Sequence, residues 1–355
     1  MVWPKVSIIW LNYNSSKILP IVLESLESVV GLDYPSDKYE LIVVDNGSTD
    51  GSFERVKDFL DRRGSLKKRV IRLGRNLGFT GGNNIGFMAR DKESKYVLLL
   101  NNDAIIFQGG LKTLVEYAEN YSDVACLQGV VLKYGTRLID TAGNYIDELL
   151  LLHVVGLNHE YPWLLRRAIY VTYVSGTSAL YRIENILKSV GNRLFINEFF
   201  GYGDDHVLGL MMWNYGYKSV AIPEIIASHV GSLTFRKSIR KTFPEYLLER
   251  NTITLSFITS TRYRSLVSLH ALRNLAISLF KSGRRDYTYT RIRALIDGVR
   301  LAKKLKSKGV FIDLYKAPII KIPLKDLWMF FTKRSIIIKY FEDWITKNLS
   351  FLTVE

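Results

Sequence analysis

The sequence predicts an α/β fold, in which a mostly parallel, doubly wound sheet is flanked by helices. Three apolar, β-rich runs end abruptly in Asn or Asp, at positions 6–14, 41–52 and 96–106. Segments between these runs repeat their apolar residues every third or fourth position, as amphipathic helices do. Strands that alternate with helices in this way are typical of a parallel, Rossmann-like sheet.

The elements follow in order along the first 120 residues. Contiguous apolar residues predict strands at 6–11, 41–44, 70–73 and 97–100, and helical periodicity predicts helices at 17–30, 52–63 and 111–120. Gly31 would end the first of these helices. A Gly- and Asn-rich stretch, 74–87, precedes the fourth strand, and we expect a helix to begin within it near Asn83 or Asn84.

The middle of the chain is less regular, and the segment at 150–167 has no clear periodicity. Residues 170–181 are expected to form a strand, a turn and a second strand. Residues 205–215 are expected to form a helix that ends at Gly216.

Positive charge is concentrated at the end of the chain. The net charge is +15, and residues 251–355 hold 20 Lys and Arg against 7 Asp and Glu. Within 292–305 the apolar residues share one helical face and basic residues fill the remainder, and 327–351 is a second apolar and basic segment. We therefore expect a catalytic domain at 1–236 and a basic, α-helical C-terminal region at 237–355.

Three roles compete for this C-terminal region. Peripheral contact with an anionic membrane is favoured by its aromatic and basic residues. A helical cap or homodimer interface is the second reading, and nucleic-acid binding, which we do not expect, is the third. The single cysteine, Cys126, the absence of a recognisable signal peptide and the absence of a run of about 20 uncharged apolar residues predict a cytoplasmic protein at the inner face of the cell membrane.

Polar residues at the strand ends predict a ligand site. In an open α/β sheet, ligands bind beyond the carboxyl ends of the strands. The residues placed there are Asn12, Asn14, Asp45, Asn102 and Asp103. Carboxylate and amide oxygens at one edge suit a nucleotide together with a hard divalent cation.

Six motifs, in the order VSIIWLNYN, VVDNGSTDGS, NLGFTGGNN, LLLNNDA, FFGYGDD and SHVGS, carry a family resemblance. They resemble glycosyltransferase family 2 with the GT-A fold, and its rhamnosyltransferase-like branch in particular. The resemblance covers about residues 5–235. It implies an inverting transferase that moves a sugar from a UDP-, dTDP- or GDP-linked donor to a hydroxyl of a glycan or lipid-linked acceptor.

The resemblance also implies roles for individual residues. Donor binding is implied for Asn12, Tyr13, Asn14, Asp45, Asn76, Gly78, Gly82, Asn83 and Asn102. Asp103 and His229 would bind Mg²⁺ or Mn²⁺, and Asp205 would be the general base, with Asp204 beside it. The sequence departs from the family pattern at Asn101 and Asp204, where an Asp and a Glu are usual, and at Val207, where a further Asp is usual.

Structural readings stand beside these functional ones. Asp45 could begin a turn, Asp103 could cap a strand end, and Asp205 could cap a helix without binding anything. His229 could be a buried structural histidine. For the whole protein, the alternatives are a sugar-phosphate nucleotidyltransferase and a non-catalytic binder of nucleotide sugars or nucleic acid.

Overall fold

The computed structural model describes residues 2–231, 242–280, 285–331 and 334–354, and its first part alternates strands and helices as the sequence predicts. The elements are β1 (Val6–Asn12), α1 (Leu19–Val30), β2 (Tyr39–Asp45), α2 (Ser52–Asp61), β3 (Lys68–Arg72), α3 (Gly78–Ala89), β4 (Tyr96–Asn101), β5 (Ala104–Ile106) and α4 (Gly110–Asn120). The predicted strands and helices of this part are therefore present, with ends that differ by a few residues.

One predicted boundary is wrong, because α3 begins at Gly78 and not near Asn83. Its glycines allow the helix to lie directly on β1. A Cβ at Gly82 would come within 2.4 Å of Leu11, and a Cβ at Gly86 within 2.5 Å of Ile9. Close packing against the strand thus outweighs the low helix propensity of glycine.

The second part of the chain completes the sheet and adds the C-terminal helices. The elements are β6 (Val124–Lys133), β7 (Ile139–Thr141), β8 (Asn144–Ile146), β9 (Leu152–Val154), β10 (Ile169–Tyr170), β11 (Ser178–Arg182), α5 (Ile183–Val190), α6 (Asp204–Asn214), β12 (Lys218–His229), α7 (Phe243–Ile258), α8 (Arg264–Phe280), α9 (Arg285–Ser307) and α10 (Arg334–Leu352). A 3₁₀ segment, Leu324–Phe331, precedes α10.

The main sheet has the order β10-β12-β6-β11-β4-β1-β2-β3. Strand β1 pairs in parallel with both β2 and β4, so that Asn12 lies opposite Asp45 and Leu11 lies opposite Asn101. The strand, turn and second strand predicted at 170–181 correspond to β10 and β11, which do not pair with each other: β10 pairs with β12, and β11 lies between β4 and β6. Long-range pairing of this kind leaves no mark on a local pattern.

Alternate residues of β1 enter two different cores, which is why its residues 8–11 are all apolar. Ile8 and Trp10 pack with α1, α2 and α4. Ile9 packs on the opposite face with α3, α5, α6 and α10. The sheet is therefore covered by helices on both faces. The carboxyl ends of β1, β2 and β4 lie side by side at one end of the sheet.

The C-terminal helices share a hydrophobic core with α6. Val207 and Leu210 of α6 pack with Leu255 of α7 and Leu305 of α9. The predicted domain boundary at 236/237 lies outside the described residues and stays a prediction. Among the helices that the structure describes, none has the length and apolar character needed to cross a bilayer.

The apolar face predicted for residues 292–305 is only partly buried. Ala302 and Leu305 are buried, but Ile292 and Ile296 are 41% and 47% exposed. Where α9 packs against α7, the residue at the contact is Gly298. A Cβ there would lie 2.7 Å from the carbonyl oxygen of Arg250. Two of the apolar residues on this helix therefore remain on the surface.

Candidate active site

Asn12 and Asp45 join the ends of β1 and β2. The side-chain amide of Asn12 donates to Oδ1 of Asp45 at 2.9 Å and also lies near the hydroxyls of Ser48 and Ser52. The backbone N–H of Ser48 donates to Oδ2 of Asp45 at 2.9 Å. Asp45 is fully buried, and both its carboxylate oxygens are engaged in holding this turn. Its contact with a nucleotide stays a prediction.

Asn102 and Asn14 extend this cluster of polar residues. The amide of Asn102 donates to Oδ1 of Asn12 at 3.3 Å, which ties the end of β4 to the end of β1. Asn14 has a positive φ of 43°, and its side-chain oxygen accepts from the N–H of Thr49 at 2.8 Å. Tyr13, between Asn12 and Asn14 in the sequence, is partly exposed.

The predicted donor loop is held by Asn46, a residue that the sequence analysis missed. The Asn46 amide donates to Oδ1 of Asn76 at 2.9 Å and to the carbonyl of Gly78 at 3.0 Å. Oδ1 of Asn76 also accepts from the N–H of Gly78 at 2.7 Å. Within α3, the amide of Asn83 donates to the carbonyl of Phe79. The position of Asn46, directly after Asp45 in an Asn-Gly turn, was the available signal.

His229 lies between two carboxylates. Its Nε2 is 3.1 Å from Oδ1 of Asp103, and its Nδ1 is 2.8 Å from Oδ2 of Asp140. Pairing between β5 and β12, which sets Ala104 opposite His229, brings Asp103 and His229 together. Burial alone would lower the pKa of His229, but its hydrogen bonds to both carboxylates raise that pKa to about 9.

This pair fits a divalent cation of the Mg²⁺ or Mn²⁺ type. Octahedral ligands about 2.1 Å from such an ion lie about 3 Å from one another, close to the 3.1 Å between Asp103 and His229. Asp140 meets the other ring nitrogen, as a partner that orients a metal-binding histidine does. In the described ranges no group of three or more His, Cys, Asp or Glu is arranged to hold an ion. A cation at this pair would therefore need further ligands besides Asp103 and His229.

Asp140 was also missed by the sequence analysis. It lies in the short strand β7, within the middle part of the chain whose pattern is irregular. A lone carboxylate in the apolar run LIDTA was the only local signal.

Asp204 and Asp205 begin α6, one residue after Gly203. The N–H of Gly176 donates to Oδ2 of Asp205 at 3.1 Å. Oδ1 of Asp205 and Oδ2 of Asp204 are buried and find no hydrogen-bond partner among the described residues. A buried carboxylate oxygen without a donor is costly, so these atoms are available to a proton or a ligand.

The two carboxyl groups differ in their tendency to ionise. Burial raises the pKa of Asp205 to about 6, and the hydrogen bond from Gly176 opposes that rise. Burial and the neighbouring charge of Asp205 raise the pKa of Asp204 well above its ordinary value. Asp205 is therefore the member of the pair that loses its proton more readily.

Contacts across the sheet bring Asp205 to the edge at which β4 ends. The N–H of Asn101 donates to the carbonyl of Thr177 at 2.9 Å, and the N–H of the preceding residue, Gly176, donates to Asp205. The ring of Phe79, at the start of α3, lies 3.0 Å from the position of a Cβ at Gly176. Asp205, the end of β4 and the start of α3 thus meet in one region.

The amino-acid sequence of this chain is similar to that of known proteins. The family model described as Glycosyl transferase family 2 matches residues 7–184. The chain is similar to the poly(ribitol-phosphate) beta-N-acetylglucosaminyltransferase TarS of Staphylococcus aureus, with 31% identity over 126 residues. That alignment covers 35% of this chain and 21% of TarS, so the chain matches about a fifth of the length of this relative.

Solved structures share the fold at low sequence identity. The mannosyltransferase PcManGT from Pyrobaculum calidifontis, in complex with GDP-Man and Mn²⁺, is 17% identical with a TM-score of 0.52, over 87% of this chain and 80% of that one. S. aureus TarS 1-349 in complex with UDP-GlcNAc is 15% identical with a TM-score of 0.54, over 86% and 84%. GalNAc-T7 with UDP, GalNAc and Mn²⁺ is 14% identical with a TM-score of 0.60, over 87% and 58%. The architecture is therefore of the GT-A type.

Proposed function

This chain belongs to glycosyl transferase family 2, and we propose that it is an inverting, metal-assisted glycosyltransferase. It would move a sugar from a nucleoside-diphosphate sugar to a hydroxyl of a glycan or lipid-linked acceptor. The observation that carries this proposal is the meeting of Asp205, with its pKa of about 6, and the end of β4, two residues before Asp103. A base and a cation-binding pair at one sheet edge are the two parts that such a transfer needs.

Asp205 would act as the general base. As the acceptor oxygen attacks the anomeric carbon, its proton would pass to the carboxylate of Asp205. The bond from the anomeric carbon to the diphosphate oxygen breaks on the opposite face, which inverts the anomeric centre and releases a nucleoside diphosphate. Oδ1 of Asp205, which is buried and has no donor among the described residues, supports this role because it can receive the proton.

Asp103 and His229 would hold Mg²⁺ or Mn²⁺, with Asp140 orienting the imidazole ring. A cation bound there supplies charge stabilisation to the departing diphosphate. Asn12, Asn14, Asp45 and Asn102, with the loop at 76–83, would form the nucleotide side of the pocket. The GDP-Man and UDP-GlcNAc complexes of the structural relatives support a donor of this class. Membership of the rhamnosyltransferase-like branch stays a prediction.

A donor screen with product analysis tests this proposal. The full chain is incubated with UDP-, dTDP- and GDP-sugars and Mn²⁺, and donor binding is read as a rise in melting temperature. Bound donors are then assayed with glycan and lipid-linked acceptors for nucleoside diphosphate release, and the anomer of the product is determined by NMR. Release of pyrophosphate from a nucleoside triphosphate and a sugar phosphate would instead identify a nucleotidyltransferase. A retained anomeric configuration would exclude the inverting mechanism.

The C-terminal helices support a further part of the proposal, peripheral contact with an anionic membrane. Large apolar side chains are exposed on α8, where Leu272 and Leu279 are 54% and 64% exposed, and Arg273 lies beside Leu272 on the surface. Ile292 and Ile296 add apolar surface on α9. Basic and apolar groups together on helical surfaces are what anionic headgroups and acyl chains bind.

Liposome sedimentation tests this contact. Because α7 and α9 share a core with α6, deletion of the C-terminal region would expose that core, so surface substitutions are the sharper probe. The double variant Leu272→Glu and Leu279→Glu is expected to lose binding to anionic vesicles. Met88→Glu, at a site 51% exposed on α3, is the matched control and should bind like the wild type. Equal binding by all three proteins would reject the membrane contact.

A further inference from the structure

The loop that leads into α6 has an unfavourable backbone. Phe200, Tyr202 and Gly203 have φ values of 66°, 62° and 92°. A positive φ costs free energy for a residue with a side chain, and here Phe200 and Tyr202 both adopt one. Such conformations persist only where the surrounding structure holds them. Asp204 and Asp205 follow directly, so the conformation of residues 199–203 decides where the carboxylate of Asp205 lies.

Asn251, on α7, holds this loop by its backbone. Its amide nitrogen donates to the carbonyl of Phe199 at 3.2 Å, to that of Gly201 at 2.9 Å and to that of Tyr202. Asn251 is 1% exposed. An asparagine amide has two N–H groups, and here three carbonyl oxygens of one loop share them. A single buried side chain thus holds three carbonyl groups within four residues of this loop.

Arg250 fixes the orientation of that amide. Its Nε donates to Oδ1 of Asn251 at 2.9 Å, so the nitrogen of the amide must face the loop. Its Nη2 donates to the carbonyls of Phe199 at 2.6 Å and Glu198 at 3.1 Å. The two residues therefore act on adjacent parts of the same loop.

Helix α9 packs closely against α7, the helix that carries Asn251. Gly298 lies so close to α7 that a Cβ there would be 2.7 Å from the carbonyl oxygen of Arg250. The hydroxyl of Thr254 donates to the carbonyl of Gly298 at 3.1 Å. The loop at 199–203 is thus backed by two helices of the C-terminal region.

We propose that Asn251 is a positioning residue for the transfer reaction, which keeps Asp205 in place by holding the backbone of residues 199–203. The inference rests on the proposed function, in which Asp205 receives the acceptor proton. It assigns to the C-terminal region a catalytic support role that differs from membrane contact, because the side chains involved are buried.

Asn214 provides a matched control at the other end of α6. Its amide donates to the carbonyl of Asp313 at 2.9 Å, and its oxygen accepts from the N–H of Asp313 at 2.8 Å. Like Asn251, it ties the sheet domain to the C-terminal region through backbone groups. Unlike Asn251, its side chain makes no hydrogen bond with residues 199–203, all of which the structure describes.

The experiment compares Asn251→Ala and Asn214→Ala in the full chain. For Asn251→Ala we expect kcat to fall at least tenfold while the KM for the donor stays within twofold. The acid limb of the kcat/KM profile should move to lower pH, because a loosened loop admits water to Asp205. Backbone amides at 199–205 should exchange hydrogen faster. Asn214→Ala should keep the wild-type kcat and acid limb even if its melting temperature falls equally.

Two outcomes would overturn the inference. One is an Asn251→Ala variant with wild-type kcat, acid limb and exchange rates, and the other is an equal loss of kcat in both variants. If Asn251→Ala does not fold, Asn251→Ser, which keeps one donor, should show a smaller change in the same direction. Absence of transfer by the wild type would count against the proposed function, and the exchange rates at 199–205 would then decide whether Asn251 holds the loop.

Discussion

Phe200 lies against Gly78 so closely that a Cβ at Gly78 would come within 2.2 Å of the carbonyl oxygen of Phe200. This contact joins the start of α3, in the predicted donor loop, to the loop that carries Asp204 and Asp205. The N–H of Thr80 donates to the same carbonyl at 3.4 Å. The predicted donor loop and the loop that leads to Asp205 are therefore in direct contact.

Replacement of Gly78 should damage this link. Gly78 has a φ of 78°, which costs an alanine about 1–2 kcal/mol, and the clash with Phe200 adds about 1–3 kcal/mol. We expect Gly78→Ala to lower the free energy of unfolding by about 2–5 kcal/mol and to weaken donor binding. Urea unfolding and donor-induced thermal shifts measure both effects. Gly64→Ala, where a Cβ meets nothing within 4 Å, is the control. Equal stability of the two variants would show that the loops can separate.

Removal of the base should abolish turnover and leave donor binding near normal. We expect Asp205→Asn to reduce kcat by about 10²–10⁴-fold, which is the usual contribution of a general base. In the wild type, kcat/KM should fall as the pH drops below about 6, because protonated Asp205 cannot accept a proton. Rate measurements from pH 5 to 8 check this limb. A flat profile through pH 6, or near-wild-type turnover in the variant, would remove Asp205 from this role.

The same substitution should stabilise the protein at neutral pH. The pKa of Asp205 is about 6 when folded, and about 3.9 is expected when unfolded. The folded state therefore binds more protons between these values, and stability falls as the pH rises from about 4 to about 6. Asp205→Asn removes this penalty, so its free energy of unfolding should exceed that of the wild type by about 3 kcal/mol at pH 7. Below pH 4 the difference should vanish in thermal unfolding experiments, and a constant difference across this range would contradict the assignment.

Asp140 should tune cation binding without touching the cation. We expect Asp140→Asn to weaken Mn²⁺ affinity by about 10–100-fold, because a neutral amide orients His229 less firmly than a carboxylate does. The midpoint of a Mn²⁺ titration, read from the donor-induced thermal shift, measures this effect. Asp61→Asn is the control, since Asp61 is a surface residue paired with Lys57. An unchanged midpoint for Asp140→Asn would show that Asp140 does not orient His229 for cation binding.

Much of the fold follows from local sequence patterns. The strands β1, β2 and β4 were predicted because each is a run of apolar residues that ends in Asn or Asp. The start of α3 was misplaced because the packing of Gly82 and Gly86 against β1, and not helix propensity, decides it. Strands β10 and β11 each pair with a strand far along the chain, so no local pattern predicts their partners.

By itself, the sequence determined strands β1, β2 and β4 and that their polar ends lie together, because hydrophobic runs and the residues that end them are properties of neighbouring positions. Only the tertiary structure decided that His229 meets Asp140, 89 residues away, and that Asn251 meets Gly201, 50 residues away. Contacts over such distances arise when separate elements pack together to bury apolar surface. Their polar partners then find one another at positions that no local pattern marks.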